Sequence, residues 1–355
     1  MDCESIKQME ALLEQADEPL QRSFQNMHQG FKENNLERFL RAREGNVVKA
    51  NKMLVDSLNW RVSNDIDDIL SKPIEPKELY DAIRESQLVG MSGFDKQGRP
   101  VFAIGVGHSG YDRAPLDKYV QSHIQINEYR DRVVLPAASR QLGRYVGSCL
   151  KILDMTGLKL SALNRIKILT VISTIDDLNY PEKTDAYYIV NAPYVFTACW
   201  KAVKPLLQER TKKKIKVLQG SGREELLKVM DASVIPEFCR PSKESRGKTT
   251  PIEPSTSCFS SSHPFHIELW SYIKQRALES QSRKCGPAPT LSFHVKVPDK
   301  ASEGSSEVVQ IIESTLEHLN LDEDGSVSGN GSTSGSNHGS SHHGTDDEAS
   351  SKARE

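Results

Sequence analysis

The sequence predicts an α/β protein in which a mainly parallel sheet with crossover helices follows a small all-α N-terminal lobe. Two observations carry this. Over residues 88–240, strand-like and helix-like runs alternate, the pattern of parallel strands joined by helical crossovers. Before them, residues 1–70 place apolar side chains at helical spacing with no strand alternation. A chain of 355 residues has room for one large or two modest domains.

The elements follow in order. In "NNLERFLRAREGNVVKANKMLVDSLNWRVS", Leu36, Phe39 and Leu40 share a helix face, and Val47, Ala50, Met53, Leu54, Leu58 and Trp60 continue at helical spacing. Gly45-Asn46 between them predicts the break of an αα-hairpin, and Pro73 and Pro76 mark a joint. "VGMSGFDKQGRPVFAIGVG" predicts two antiparallel strands around an Asp-Lys-Gln-Gly turn. "APLDKYVQSHIQINEYRDRVVLPAASRQLG" predicts one long helix, with Val120, Ile124 and Ile126 leading to Val133 and Val134. A strand ending at Asp154, a helix ended near Pro181, the strand "DAYYIVNAP", the helix "YVFTACWKAVKPLLQER" and the strand "KKIKVLQG" complete the alternation. "GREELLKVMDASVIPEFC" closes it as a helix and a short extended piece.

The expected domains are 1–75 (helical lobe), 76–245 (sheet domain), 246–320 (an extension with helix, strand and helix) and 321–355 (a tail). The helix of the extension is "HPFHIELWSYIKQRALE", its strand "PTLSFHVKVPD" and its last helix "SSEVVQIIESTLEHLNL". The tail, rich in Gly, Ser and His, is too polar to build a core and carries no designed metal site.

Composition narrows function by exclusion. A formal net charge of -2 gives no global pull toward nucleic acid or an anionic membrane, so any such targeting is local. Met1–Gln15 begins acidic and lacks the apolar core of a signal peptide, and no window reaches the length of a spanning helix. Six scattered cysteines without a CxxC pair predict reduced thiols, consistent with a cytoplasmic protein. "GVGHSG" at 105–110 precedes a turn instead of a helix, which removes the dinucleotide reading. No Walker lysine or Gly-x-Ser-x-Gly elbow is present, and His108, His123 and Cys149 form no recognisable nucleophile arrangement. No catalytic residue and no metal ligand is expected; the chain is not read as an enzyme.

Binding has more support. The helix over 193–207 carries Val195, Phe196, Cys199, Trp200, Val203, Leu206 and Leu207, apolar over more than one stripe. That fits a helix packed on both sides in a core. It fits equally a gate over a lipid-sized cavity that meets a bilayer with its other face. Next come Arg210, Lys212, Lys213, Lys214 and Lys216. Most of that run is a solvated edge or a membrane-facing basic patch. In a strand beginning near Lys214, alternation sends some of these side chains inward, where a lysine needs a partner.

Four stretches, "LERFLRAREGN", "DKQGRPV", "LNYPEKTDAYYIVNAPYVFTACWKAVKPLL" and "TKKKIKVLQG", together resemble the Sec14-like lipid-transfer proteins, whose CRAL-TRIO domain follows a small helical lobe. The likeness covers roughly residues 30–245 and is nearest to the plant single-domain, Ssh-type phosphatidylinositol transfer proteins. It implies that Thr211 and Lys214 contact an inositol phosphate while Glu182 and Arg43 brace the site as an ion pair. Tying the helical lobe to the core is a second role for Arg43 and Glu182. A residual second head-group site is implied at Ser148, in Ser148-Cys149-Leu150 where dual-ligand members have Ser-Cys-Thr. With Val133 where they have tyrosine, phosphatidylcholine should bind weakly.

The implied ligand is one bound phospholipid, phosphatidylinositol, with no cofactor. The implied partners are cytoplasmic membrane surfaces at the Golgi or plasma membrane and a phosphatidylinositol kinase, with no nucleic acid, and the expected state is a monomer. Presentation of lipid with little bulk transfer, and carriage of another hydrophobic ligand, are the alternatives.

Overall fold

The structure is a computed structural model that describes residues 3–159, 166–194, 196, 200, 209–240 and 257–283. Four helices open the chain: α1 (Cys3–Glu14), α2 (Glu18–His28), α3 (Lys32–Ala42) and α4 (Val47–Ser63). Their shared core contains Met9, Phe24, Leu36, Phe39, Leu40, Leu54 and Leu58, the stripe the spacing predicts. At the expected break, Gly45 adopts φ 80°, and Asn46 caps α4 by accepting a hydrogen bond from the Lys49 N–H at 3.0 Å. The Arg61 guanidinium of α4 forks onto Glu128 at 2.7 and 2.9 Å, tying the lobe to the sheet domain.

After a 3-10 turn (Ile66–Ser71), α5 (Lys77–Ser86) leads to β1 (Val89–Phe94) and β2 (Pro100–Gly105), the predicted antiparallel hairpin. The Asp95 carboxylate accepts from the N–H groups of Gln97 and Arg99, and Gly98 takes the φ of 75° that the turn demands. Within "GVGHSG", a Cβ on Gly107 would lie 2.0 Å from the Thr156 carbonyl oxygen. That glycine serves close packing of two turns.

The predicted long helix is three pieces: α6 (Leu116–Tyr129), a π turn (Arg130–Val134) and α7 (Leu135–Leu142). Pro136 in the first turn of α7 cannot donate a backbone hydrogen bond, so the ladder is interrupted just where the wider turn sits. Then come β3 (Cys149–Asp154), α8 (Ile166–Asn179), β4 (Thr184–Val190), α9 (Glu209–Lys214), β5 (Ile215–Val217), α10 (Arg223–Val229) and α11 (Pro264–Arg283). The sheet order is β1-β2-β3-β4-β5, with β2 to β5 parallel.

Register assigns the two faces. Val101, Leu150, Ile152, Ala186 and Tyr188 pack with Leu226 of α10 in one core, whereas Phe102 belongs to the core on the opposite face. Phe102, Lys151 and Tyr187 are register neighbours across β2, β3 and β4, so Lys151 lies in a row facing away from α10. The extension's helix α11 is built in: Phe265, Leu269 and Ile273 share a core with Ile66, Ile69 and Ile124. The expected strand at 289–299 and helix at 305–321, and the tail, lie outside the described residues. Among the described residues, no helix is long and apolar enough to cross a membrane, and Cys3, Cys149, Cys239 and Cys258 are free thiols.

Two sequence expectations are corrected here. The strand expected over 213–220 is only Ile215–Val217, and Lys214 is instead the last residue of a helix. The single long helix is interrupted by the π turn, which displaces Arg130 and Asp131 from a plain α-helical path.

Candidate functional site

Where α8 ends, Pro181 and Glu182 turn the chain into β4. Glu182 has φ 57°, a left-handed backbone that a residue with a Cβ rarely adopts. That turn lines a cavity of about 120 Å³ together with Arg43 past the end of α3, Arg130 of the π turn, Lys151 of β3, Asp176 of α8 and Lys214 of α9. The Lys214 ammonium donates to Glu182 Oε2 at 2.6 Å, with both side chains only partly exposed. Thus residues 32 apart in sequence meet because β4 and β5 are parallel neighbours whose leading ends lie side by side.

Arg43 lines the same cavity, but its Nη1 donates to the Ala42 carbonyl at 3.0 Å, and a close cation on Glu182 is Lys214. Among the described residues no Arg43–Glu182 ion pair forms, and Glu182 pairs with Lys214. The reason is local: Arg43 follows the last turn of α3 and folds back on it, whereas the end of α9 delivers Lys214 directly to the carboxylate. A tie between lobe and core does exist nearby, on another arginine. Buried Arg38 donates to the Pro181 carbonyl at 2.8 Å and pairs with Asn35.

Behind these groups lies a buried charged layer. Asp131 accepts from Arg130 Nε at 2.7 Å and meets the Lys183 ammonium at 3.1 Å. Burial opposes ionisation of Asp131, but Arg130 and Lys183 outweigh it and hold the carboxyl well below the usual carboxylate range. Lys183 is the surplus cation: burial, reinforced by the Arg38 charge, lowers it to about 7 despite Asp131. Asp176 accepts from Asn127 at 2.7 Å, meets His123 Nε2 at 2.7 Å and Lys151 at 3.5 Å. Burial raises its pKa, but His123 and Lys151 more than reverse that, keeping it ionised far below its usual range. Arg130 Nη2 is buried without a hydrogen-bond partner. Among the described residues no group of three or more His, Cys, Asp or Glu side chains could hold a metal ion.

The remaining expected residues fall as follows. Thr211 and Arg210 lie in α9, and their side chains are outside the described residues. Lys212 is half-buried and Lys213 exposed on that helix; Lys216 is exposed on β5, its ammonium 5.2 Å from the Tyr188 ring centroid. Phe196 and Trp200 stack with ring centroids 6.2 Å apart, and Tyr194 before them is exposed. Val195, Cys199, Val203, Leu206 and Leu207 lie outside the described residues. Ser148 is half-buried in the loop before β3 and is not among the residues lining this cavity.

Sequence reasoning missed Arg130, Asp131, Lys151, Asp176 and Lys183. Their signal was present but faint: charged residues inside otherwise apolar runs, "EYRDRVV" and "CLKILD", and Lys183 beside Glu182 at a strand entrance.

Comparison with known proteins places this geometry in a family. A model of the CRAL/TRIO domain matches residues 84–239, and a model of the CRAL/TRIO N-terminal domain matches residues 5–56. The phosphatidylinositol/phosphatidylcholine transfer protein SFH12 of Arabidopsis thaliana is 31% identical over 207 residues, 57% of this chain but 38% of that protein. SFH4 of the same plant, of the same description, is 32% identical over 57% of this chain and 34% of its own length. The SEC14 cytosolic factor of Eremothecium gossypii is 31% identical over 210 residues, 56% of this chain and 66% of that protein. The chain thus spans well under half the length of these two Arabidopsis relatives. With a helical lobe and a sheet domain that both match, the chain belongs to the CRAL-TRIO, Sec14-like superfamily of lipid-binding and lipid-transfer proteins.

Proposed function

We propose that the protein is a non-enzymatic carrier of one phosphatidylinositol molecule, which it transfers between, or presents at, cytoplasmic membrane surfaces. The observation that carries this reading is the Lys214–Glu182 pair in a cavity that Arg43 also lines. A phosphodiester needs a fixed cation, and the carboxylate holds the lysine in place until the phosphate arrives. Arg43, Arg130, Lys151, Lys183 and Lys214 outnumber Asp176, Asp177 and Glu182 around this cavity. That excess favours an anionic head group over one carrying a choline cation. Phosphatidylinositol is accordingly preferred to phosphatidylcholine, which the names of the Arabidopsis relatives include.

Thr211 adds a hydroxyl to the phosphate, and Ser148 is left as a remnant of a second head-group site. The acyl chains occupy an apolar cavity closed by the helix over 193–207, which swings away on a membrane. Burying them contributes roughly 0.8 kcal/mol per methylene. Arg210, Lys212, Lys213 and Lys216 face the anionic surface, each adding about 1 kcal/mol at most. The protein acts as a monomer at the Golgi or plasma membrane and delivers its lipid to a phosphatidylinositol kinase. Native mass spectrometry of the purified protein tests the ligand: a one-to-one phosphatidylinositol adduct is expected, and a neutral terpenoid in its place would overturn the reading.

A further inference from the structure

Among the described residues five cations line the head-group cavity, and they are not held equally. Lys214 is fixed by Glu182 at 2.6 Å, and Arg130 and Lys183 share Asp131 at 2.7 and 3.1 Å. Lys151 of β3 is held loosely. Its contact with Asp176 Oδ2 is 3.5 Å, the outer limit of a hydrogen bond. The other oxygen of that carboxylate already accepts from Asn127 at 2.7 Å and meets His123 Nε2 at 2.7 Å. The Lys151 side chain lines the cavity and keeps 13% of its surface exposed, so its ammonium has donors to spare. Burial opposes its charge, but Tyr187 and Asp176 reverse that and hold its pKa above the ordinary lysine value. It is an ammonium at neutral pH.

Register sets where this second cation stands. Lys151 is the neighbour of Tyr187 across β3 and β4, and Tyr187 is the neighbour of Ile215 across β4 and β5. Lys151 is therefore two strand spacings, roughly 10 Å at the backbone, from Ile215, the residue after Lys214. Tyr187 lines the cavity between them, its ring centroid 5.7 Å from the Lys151 ammonium. Two cations set apart in this way suit a six-membered polyol that carries phosphate at opposite ends. Charge agrees. Five lining cations face three carboxylates, so a phosphodiester with one negative charge leaves the lining positive. A phosphate monoester brings roughly 1.5–2 further negative charges.

We propose that Lys151 is a second phosphate position in the head-group cavity, and that the preferred ligand is an inositol phospholipid carrying a phosphate monoester across the ring from its phosphodiester. The diester sits on Lys214 and the monoester on Lys151. This rests on the phosphatidylinositol reading and narrows it to a more highly charged lipid, for which Lys151 is the residue that sets specificity.

Isothermal titration calorimetry of the full chain with short-chain phosphatidylinositol and phosphatidylinositol 4-phosphate tests it, with inositol 1,4-bisphosphate as the soluble arm. Wild type should bind the phosphorylated lipid at least about tenfold more tightly than phosphatidylinositol, and the soluble bisphosphate more weakly than that lipid. In K151M the two lipid affinities should agree within about twofold, in K151R the preference should return, and K214A should weaken both lipids. Circular dichroism verifies that each variant is folded. Binding of phosphatidylinositol without a preference for the phosphorylated lipid overturns this inference alone, as does a preference that survives in K151M. Soluble bisphosphate binding as tightly as the lipid overturns the choice of a lipid ligand. Failure of wild type to bind either lipid overturns the phosphatidylinositol reading together with the inference.

Discussion

Glu182 combines a left-handed backbone with an ion pair, and two replacements separate these contributions. In Glu182→Ala the pair with Lys214 is lost and the strained φ of 57° remains. The side chains are 24% and 15% exposed, between a surface pair worth about 0–1 kcal/mol and a fully buried charged hydrogen bond worth about 1.5–3. A loss of about 1.5 kcal/mol is therefore expected. Glu182→Gly also loses the pair, but glycine accepts positive φ without the clash of a Cβ, a relief of about 1 kcal/mol. The glycine variant should be the more stable of the two, within about 1 kcal/mol of wild type, as read from urea midpoints at constant m-value. Phosphatidylinositol transfer should fall equally in both, since both lack the carboxylate. A glycine variant no more stable than the alanine variant would refute the strain argument. Wild-type transfer by either would refute the role of the carboxylate.

Lys183 gives a pH dependence of known sign. Its folded value of about 7 lies below the ordinary 10.5, so between these values the unfolded chain binds more protons. Stability attributable to this group is lowest below about pH 7 and rises toward pH 10.5, by up to about 1.4 kcal/mol per unit. Lys183→Met should remove that gain, and urea midpoints that track wild type from about pH 6 to 9 would contradict it. Arg38→Ala should cost about 2–3 kcal/mol, because it strips the Pro181 carbonyl and Asn35 of a buried donor. Limited proteolysis should then cut the helical lobe faster; an unchanged digestion rate would show that Arg38 does not hold the lobes together.

Much of the architecture was legible because it is written in periodicity. The switch from helical spacing around Leu36, Phe39 and Leu40 to alternating strands and helices reported the lobe and the sheet, and Asp95 to Gly98 announced the hairpin. The π turn was not legible, since one extra residue in a turn leaves the apolar pattern of the long helix nearly intact. Nor was the shortness of β5: lysines that end a helix and lysines that begin a strand are the same letters. At the site, Lys214 and Glu182 came from resemblance, and spacing alone would not have joined them. Lys151 was hidden because one charge in an apolar run looks like an exposed position until strand register sets its face, and Arg130 and Lys183 because their burial depends on the π turn and on the turn before β4.

The central claim is that Lys214 holds a lipid phosphate. Transfer of labelled phosphatidylinositol between vesicles, measured for wild type and Lys214→Ala at equal folded concentration, tests it most directly. The account predicts saturable transfer by wild type and its loss in the variant, with the circular dichroism spectrum unchanged. Equal transfer by a folded Lys214→Ala protein would contradict it.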